Sequence, residues 1–324
     1  MSGATGMAGS LLGKLLGLLR RLVQLVFGCA GRVPPDVDLT GRTVVITGGN
    51  SGIGLETAVG LADLGAHVVI TARDPQRGEQ AVDDIRERSG NERVEVMHLD
   101  LASFDSVRGF AAAFLERHER LDVLIANAGA TLSEHQLSLD GIELTLQANH
   151  LSHVLLTHLL LDRLRASAPA RIVVVSSAAH RQGGDLDADD LEAHGKPYIG
   201  FQKYARTKLM NLLFARELAR RLAGSGITVN ALHPGTVRSG FAMDGDATGI
   251  FALLIRIARP FFKSAATGAR TSIFLAASPE VAADTGGYYS SCRRRSPSRA
   301  ARDPQLARRL WERSAELVGL AETA

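Results

Sequence analysis

Tyr204 and Lys208 are four residues apart in a segment predicted to be helical, which places both side chains on one helix face. An unperturbed phenol has a pKa of about 10, and a fixed cation beside it lowers that pKa. Such a pair can exchange a proton with a carbonyl or hydroxyl group. Ser177 ends a predicted parallel strand, at the sheet edge where open α/β sheets bind ligands. These three residues therefore predict acid/base chemistry at that edge.

A glycine-rich segment, TGGNSGIG (47–54), follows the first predicted strand and opens the first predicted helix. Gly48 permits a tight turn, Gly52 lets the backbone approach a pyrophosphate, and Gly54 lets the helix pack against the strand. The helix amino terminus then supplies free N–H groups and a favourable dipole for the anion. The segment predicts a dinucleotide-binding loop.

The end of the second predicted strand bears on the choice between NAD and NADP. An acidic residue at this point would bind the ribose 2′-hydroxyl and repel a 2′-phosphate. The strand instead ends in Thr71, Ala72 and Arg73, and the guanidinium of Arg73 can bind a phosphate. Asp74 follows and could pair with Arg73, which is the alternative interpretation. The pattern favours NADP(H).

Short apolar runs alternate with helical stretches from residue 41 onward. Because the runs are continuously apolar rather than alternating, they predict parallel strands covered on both faces. Strands joined by helical crossovers give a doubly wound sheet. The predicted strands are TVVITG (43–48), HVVITA (67–72), VEVMHLD (94–100), LDVLIAN (121–127), RIVVVSS (171–177) and GITVNAL (226–232).

Taken together in order and spacing, seven motifs between residues 41 and 290 resemble the short-chain dehydrogenase/reductase family, closest to its retinol-dehydrogenase-like branch. They are TGGNSGIG (47–54), HLDLAS (98–103), ANAG (126–129), QANHLSH (147–153), VSSAAH (175–180), YARTK (204–208) and HPGTV (233–237). The resemblance implies one Rossmann-type domain over residues 41–292, with about seven strands flanked by helices. It departs from the family at Ala126, where the family has asparagine.

The resemblance also implies roles for individual residues. Tyr204 is the acid/base, Lys208 holds the nicotinamide ribose, Ser177 binds the substrate oxygen with Ser176 as the alternative, and Asn149 anchors a water. Asp100 and Asn127 line the adenosine side, and Pro234 and Gly235 border the nicotinamide. The complete predicted cofactor set is Gly48, Asn50, Ser51, Gly52, Ile53, Gly54, Arg73, Asp100, Leu101, Asn127, Ala128, Gly129, Tyr204, Lys208, Pro234, Gly235 and Val237.

These residues predict hydride transfer between nicotinamide and a carbonyl or alcohol carbon, with reduction favoured by NADPH. Residues 239–262 are strongly apolar, which suggests a lipophilic substrate such as a retinoid, a steroid or a long-chain aldehyde or ketone. The alternatives are an NAD-dependent alcohol dehydrogenase, a non-catalytic nucleotide sensor of the same fold, and a membrane-tethered scaffold. The chemistry requires no metal, and His150, His153 and His180 are interpreted as helix-face or pocket-rim residues.

Residues 1–40 are interpreted as an amphipathic helix, 10–28, followed by a linker. Lys14, Arg20 and Arg21 lie on its polar stripe and disfavour a bilayer-spanning helix. A helix in the membrane interface fits better, and a helix docked on protein is the alternative. A lipoprotein-like signal ending at Cys29 is disfavoured because the two arginines shorten its apolar run.

Residues 293–324 are predicted to be a basic extension with a short helix, and the arginine cluster around Arg293–Arg295 a solvated, poorly ordered tail. No aromatic residues interleave with these arginines, which argues against nucleic-acid binding. The two cysteines of the chain cannot form a disulfide framework, as expected in a reducing compartment. We therefore expect a cytoplasmic protein at a membrane face, and the family resemblance suggests a homo-oligomer.

Overall fold

The computed structural model describes residues 33–320, apart from residues 35, 196 and 236–263. The predicted helix at 10–28, the predicted cofactor residue Val237 and the apolar stretch 239–262 lie outside these described residues. Within them, no helix is both long enough and apolar enough to cross a bilayer.

Eight strands of the described residues form one central sheet. They are β1 (Thr43–Ile46), β2 (His67–Ala72), β3 (Val94–His98), β4 (Val123–Ala126), β5 (Ala170–Val175), β6 (Ile227–Leu232), β7 (Tyr288–Ser290) and β8 (Arg293–Arg294). Their order in the sheet is β3-β2-β1-β4-β5-β6-β7-β8. Neighbouring strands are parallel, except that β8 is antiparallel to β7. The direction of winding reverses between β1 and β4, where such sheets bind their ligands.

Helices cover both faces of the sheet, which confirms the predicted doubly wound α/β fold. The helices used below are α1 (Gly52–Asp63), α2 (Pro75–Ser89), α3 (Phe104–Arg117), α4 (Leu144–Leu146), α5 (Ser152–Ala166), α6 (Gly200–Arg221), α7 (Ala265–Ala277) and α8 (Pro304–Leu317). A π-helical turn (Gln147–Leu151) joins α4 to α5, and a 3₁₀ turn (Ala178–Gln182) follows β5.

Consecutive residues of the central strands pack into opposite layers of the core. In β1, Val45 belongs to one apolar cluster, whereas Val44 and Ile46 belong to the other. All three are fully buried. In this central strand the continuous apolar run correctly predicted a strand covered on both faces, whereas the edge strand β3 is only partly buried.

Residues 293–320 fold onto the domain, contrary to the predicted solvated tail. Arg293, Arg294 and Arg295 are exposed, but β8 extends the sheet to eight strands rather than about seven. Leu310 and Trp311 of α8 are buried, and the Trp311 ring stacks on Phe214 at 5.6 Å between centroids. The guanidinium of Arg221 lies 4.5 Å from the Trp311 ring centroid. The apolar face of α8 docks this segment, and the arginines remain in solvent.

Candidate active site

Ser177, Tyr204 and Lys208 meet at the carboxyl edge of the sheet. Ser177 follows β5, and α6 carries the other two one turn apart. The Ser177 side chain hydrogen-bonds the Tyr204 phenol, and the Lys208 Nζ lies 5.6 Å from the Tyr204 ring centroid. A hydroxyl, a phenol and a cation therefore lie together in the arrangement predicted from the sequence.

The two neighbouring serines have different surroundings. The Ser176 hydroxyl is buried and donates to the carbonyl oxygen of Lys208 at 2.7 Å. The Ser177 side chain caps the following 3₁₀ turn by accepting from Ala179 N at 3.2 Å, and it also contacts Tyr204. Ser176 therefore anchors α6 to the strand, and Ser177 is the serine that contacts the phenol.

Burial has the largest effect on the pKa of Tyr204, contrary to the expectation that the neighbouring Lys208 cation lowers it. Burial raises the pKa of Tyr204, and the hydrogen bond from Ser177 acts in the opposite direction. Burial also lowers the pKa of Lys208 to about 8. The Lys208 ammonium donates to the Val175 carbonyl at 3.2 Å, so it is fixed by the strand rather than by the phenol.

Asn149 is fully buried within the π-helical turn, where its side chain is fixed on both sides. Its Oδ1 accepts from Ala130 N at 2.6 Å, and its Nδ2 donates to Ala130 O at 2.8 Å and to Thr207 Oγ1 at 3.1 Å. A π-helical turn changes which carbonyls accept the backbone hydrogen bonds of the helix. The Asn149 backbone carbonyl accepts a hydrogen bond from the Asn211 side-chain amide at 3.1 Å.

The three histidines assigned to a helix face or pocket rim are all buried, each with at most 3% of its surface exposed. Burial lowers the pKa of His150 to about 4 and that of His153 to about 3, so both rings are neutral. His150 lies in the π-helical turn and His153 in α5, in agreement with the helix-face interpretation, whereas His180 lies in the 3₁₀ turn after β5. Helical periodicity did not reveal that other elements cover these faces.

His150 and its partners connect the C-terminal helix to Asn149. The Nε2 of His150 lies 3.0 Å from the Ser314 hydroxyl of α8, and its Nδ1 lies 3.1 Å from Asn211 Oδ1. Asn211 in turn donates to the Asn149 carbonyl. These contacts join residues that are far apart in the sequence, and sequence reasoning missed them.

The glycine-rich loop forms the turn that was predicted. Gly48 and Gly52 have φ values of +63° and +54°, which other residues rarely adopt. A Cβ on Gly54 would collide with the Gly48 carbonyl oxygen. The Ser51 side chain makes no capping bond to α1, whereas Asp74 and Ser103 cap α2 and α3. The first turn of α1 therefore keeps its N–H groups available to an anion.

The remaining predicted cofactor residues follow the ends of neighbouring strands, so all face the same edge. The Asn127 Nδ2 donates to the Thr47 carbonyl at 2.9 Å, and the Leu101 carbonyl accepts from Ser152 at 2.7 Å. A Cβ on Gly129 would approach Lys208 Nζ at 3.1 Å. The other residues at this edge are Asn50, Ile53, Asp100, Ala128, Pro234 and Gly235. This array of turns and glycines fits a dinucleotide.

Arg73 is exposed directly after β2, and Asp74 does not pair with it. The Asp74 carboxylate accepts from Gln76 N and Arg77 N at 2.9 and 3.2 Å. Its charged partner is the Arg77 guanidinium at 3.7 Å. Within the described residues Arg73 forms no ion pair, so its guanidinium is available at the sheet edge.

A mostly parallel sheet with a glycine-rich turn after its first strand, and with serine, tyrosine and lysine at its carboxyl edge, is the architecture of Rossmann-type oxidoreductases. Residues 42–188 match the family model described as short chain dehydrogenase. Retinol dehydrogenase 13 from Homo sapiens is 43% identical over 317 residues, which cover 96% of this chain and 94% of that protein. The chain belongs to the short-chain dehydrogenase/reductase family, and its curated relatives include retinol dehydrogenases.

Solved structures of similar proteins share the fold. An uncharacterised protein from Mycobacterium paratuberculosis superposes with a TM-score of 0.72 at 33% identity, covering 92% of this chain and 99% of that chain. A short chain dehydrogenase from Burkholderia cenocepacia in complex with NADP superposes with a TM-score of 0.62 at 29% identity, covering 78% and 96%. The sheet and helices described above are therefore those of the family.

Proposed function

We propose that the protein is an NADP(H)-dependent carbonyl reductase that acts on a lipophilic aldehyde or ketone, with Tyr204 as its acid/base. The observation that carries the proposal is the hydrogen bond between Ser177 and Tyr204 beside the buried Lys208. A nucleotide sensor of the same fold would require none of these three side chains.

The nicotinamide supplies a hydride when it is bound, and the protein controls the proton. Ser177 donates a hydrogen bond to the carbonyl oxygen, which holds the oxygen near the phenol. Tyr204 donates its proton to that oxygen as the alcohol forms, and the tyrosinate is then stabilised by the Lys208 ammonium. Asn149 fixes the segment around Ala130 that borders Lys208. The raised pKa of Tyr204 suits this direction, because it keeps the phenol protonated at neutral pH.

The preference for NADP(H) over NAD(H) rests on Arg73. Its exposed guanidinium at the end of β2 suits a 2′-phosphate, and Asp74 is occupied by the α2 cap. The bound NADP of the Burkholderia cenocepacia relative supports the same choice. An NAD-dependent alcohol dehydrogenase stays the alternative. Comparing kcat/KM with NADPH and with NADH distinguishes it from our proposal.

Two observations support a lipophilic substrate. The curated relatives include retinol dehydrogenases, and residues 239–262 of this chain are strongly apolar. We propose that this stretch borders the substrate and that the helix predicted at 10–28 seats the enzyme at a membrane interface. A retinoid, a steroid or a long-chain carbonyl compound could then be taken from the bilayer.

The test is a cofactor oxidation assay with the purified full-length chain. NADPH and NADH are each supplied with a retinaldehyde, a steroid ketone, a long-chain aldehyde and a short water-soluble aldehyde. We expect oxidation of NADPH with at least one lipophilic carbonyl compound and a lower kcat/KM with NADH. Lack of turnover with every carbonyl and alcohol, despite NADPH binding, would favour the sensor instead.

A further inference from the structure

Three potential metal ligands meet at the amino edge of the sheet, opposite the candidate active site. His67 is the first residue of β2, Glu95 is the second residue of β3, and His118 directly follows α3. The amino ends of parallel strands lie away from their carboxyl ends, so this cluster is separate from Tyr204 and the glycine-rich loop. The carbonyl reduction proposed above does not involve the residues of this cluster.

The distances within this cluster suit a small cation. Glu95 Oε1 lies 2.9 Å from His67 Nε2 and 3.4 Å from His118 Nε2. The three ligand atoms all lie within 4.8 Å of one another. Zinc binds nitrogen and oxygen ligands at about 2.0–2.2 Å, so tetrahedral ligands lie roughly 3.3 Å apart. Two of the three pairs, at 2.9 and 3.4 Å, are already close to that spacing.

His118 provides an independent reason to expect a ligand. Its side chain is only 9% exposed, and its Nε2 has no hydrogen-bond partner among the described residues although it lies 3.4 Å from Glu95 Oε1. Leaving a buried polar atom unpaired destabilises the folded chain, and this cost is removed when the atom gains a partner. The ring stacks on Phe114 at 4.6 Å between centroids, which holds the nitrogen in place.

The Glu95 carboxylate presents one oxygen to the two imidazole rings. Arg117 binds the other carboxylate oxygen, Oε2, at 2.6 Å and leaves Oε1 facing the two rings. Arg163 donates to the Leu115 carbonyl at 3.1 Å instead of to Glu95.

We propose that His67, Glu95 and His118 form a binding site for a divalent transition-metal ion of the zinc class. Two imidazoles and a carboxylate match the ligands that zinc prefers, whereas magnesium and calcium prefer oxygen ligands. His67 binds as the tautomer with its proton on Nδ1, and water completes the coordination. The ion joins β2, β3 and the end of α3, and it therefore stabilises the folded chain.

The test measures metal binding without using enzyme activity. Full-length protein treated with a chelator is titrated with Zn²⁺ in competition with a chromophoric chelator. We expect one equivalent to bind, and His67→Asn and Glu95→Gln each to weaken its affinity at least tenfold, comparable to the loss of an outer-shell partner. Zn²⁺ should raise the Tm of the wild type and not that of His67→Asn, and Mg²⁺ should raise neither.

His194→Asn is the matched control. His194 also lies beside two carboxylates, Asp190 at 2.7 Å and Glu192 at 3.6 Å, but its side chain is 77% exposed. We expect this variant to bind Zn²⁺ with wild-type affinity. The proposal is overturned if the wild type binds no Zn²⁺, if His194→Asn weakens binding as much as Glu95→Gln does, or if Mg²⁺ gives the same thermal shift.

Discussion

The Thr47 hydroxyl lies 2.9 Å from His153 Nε2 and so joins the glycine-rich loop to α5 beneath it. His153 Nδ1 faces the Asn149 carbonyl at 3.3 Å, which can only accept, so this nitrogen carries the single ring proton. Nε2 therefore accepts from Thr47. The Thr47 oxygen in turn accepts from Asn127 N at 2.9 Å and Ala128 N at 3.0 Å. One hydroxyl thus connects the loop, the turn after β4 and the Asn149 segment.

Thr47→Val should destabilise the protein by about 2–4 kcal/mol, because each buried group left unpaired costs about 1–3 kcal/mol. Valine keeps the shape of threonine but cannot accept from Asn127 N and Ala128 N. Thr47→Ser keeps the hydroxyl and should cost about 1 kcal/mol for the lost methyl group. Urea unfolding measures both variants, and equal stabilities would show that the hydroxyl does not hold the turn.

The free energy of unfolding should fall as the pH decreases below about 6.5, the ordinary pKa of histidine. His150 and His153 have folded pKa values of about 4 and 3, so in this window the unfolded chain binds protons that the folded chain does not. Their contribution is therefore present at neutral pH and lost on acidification. Urea unfolding at about pH 7 and about pH 5 measures the change.

His153→Asn should reduce the pH dependence of the free energy of unfolding by the contribution of one of the two histidines. His98→Asn, which replaces an exposed histidine, should leave the dependence as in the wild type. Identical pH dependence in the wild type and in His153→Asn would contradict the assignment of a neutral, buried His153.

Tyr204→Phe should abolish turnover while NADPH still binds. The phenol is the proposed proton donor, and the phenyl ring preserves the packing around it. Tyr289→Phe removes a phenol whose partner is Asp284, away from the candidate site, and should retain turnover. Turnover is measured by NADPH oxidation with a confirmed substrate, and binding by fluorescence titration. Near wild-type kcat in Tyr204→Phe would refute the assignment of Tyr204.

Arg73→Ala should weaken NADPH binding at least tenfold and leave NADH binding nearly unchanged. A charge-assisted contact to the 2′-phosphate contributes about 1.5–3 kcal/mol, which is tenfold or more in affinity. Arg77→Ala is the control, since that exposed guanidinium pairs with Asp74. Equal losses for both cofactors would mean that Arg73 supports the fold instead.

Removal of residues 1–30 should release the enzyme from anionic vesicles, because interfacial binding combines apolar burial with attraction to lipid charge. The truncated enzyme should still reduce a water-soluble aldehyde but act more slowly on one carried in vesicles. Co-sedimentation measures binding, and NADPH oxidation measures both rates. If the full-length protein did not bind vesicles, or if both substrates slowed equally, delivery through the membrane would be wrong.

The sequence alone determined the doubly wound sheet, the glycine-rich turn and the Tyr204–Lys208 pair. Each depends on a local pattern: continuous apolar runs, glycines between a strand and a helix, and two residues one helical turn apart. Local patterns survive folding because the backbone geometry of a strand, turn or helix imposes them. Because the predicted strands are parallel, their carboxyl ends lie at one edge of the sheet, and the sequence therefore also predicted that the site lies at that edge.

Tertiary structure decided which of two adjacent serines contacts the phenol and that burial, not Lys208, dominates the pKa of Tyr204. It also decided that the C-terminal helix docks on α6 and that the histidines around Asn149 are buried. Such outcomes depend on contacts between residues far apart in the chain. His150 and Ser314 are 164 residues apart, and no local spacing relates them. The same holds for His67, Glu95 and His118, which only the packing of β2, β3 and α3 brings together.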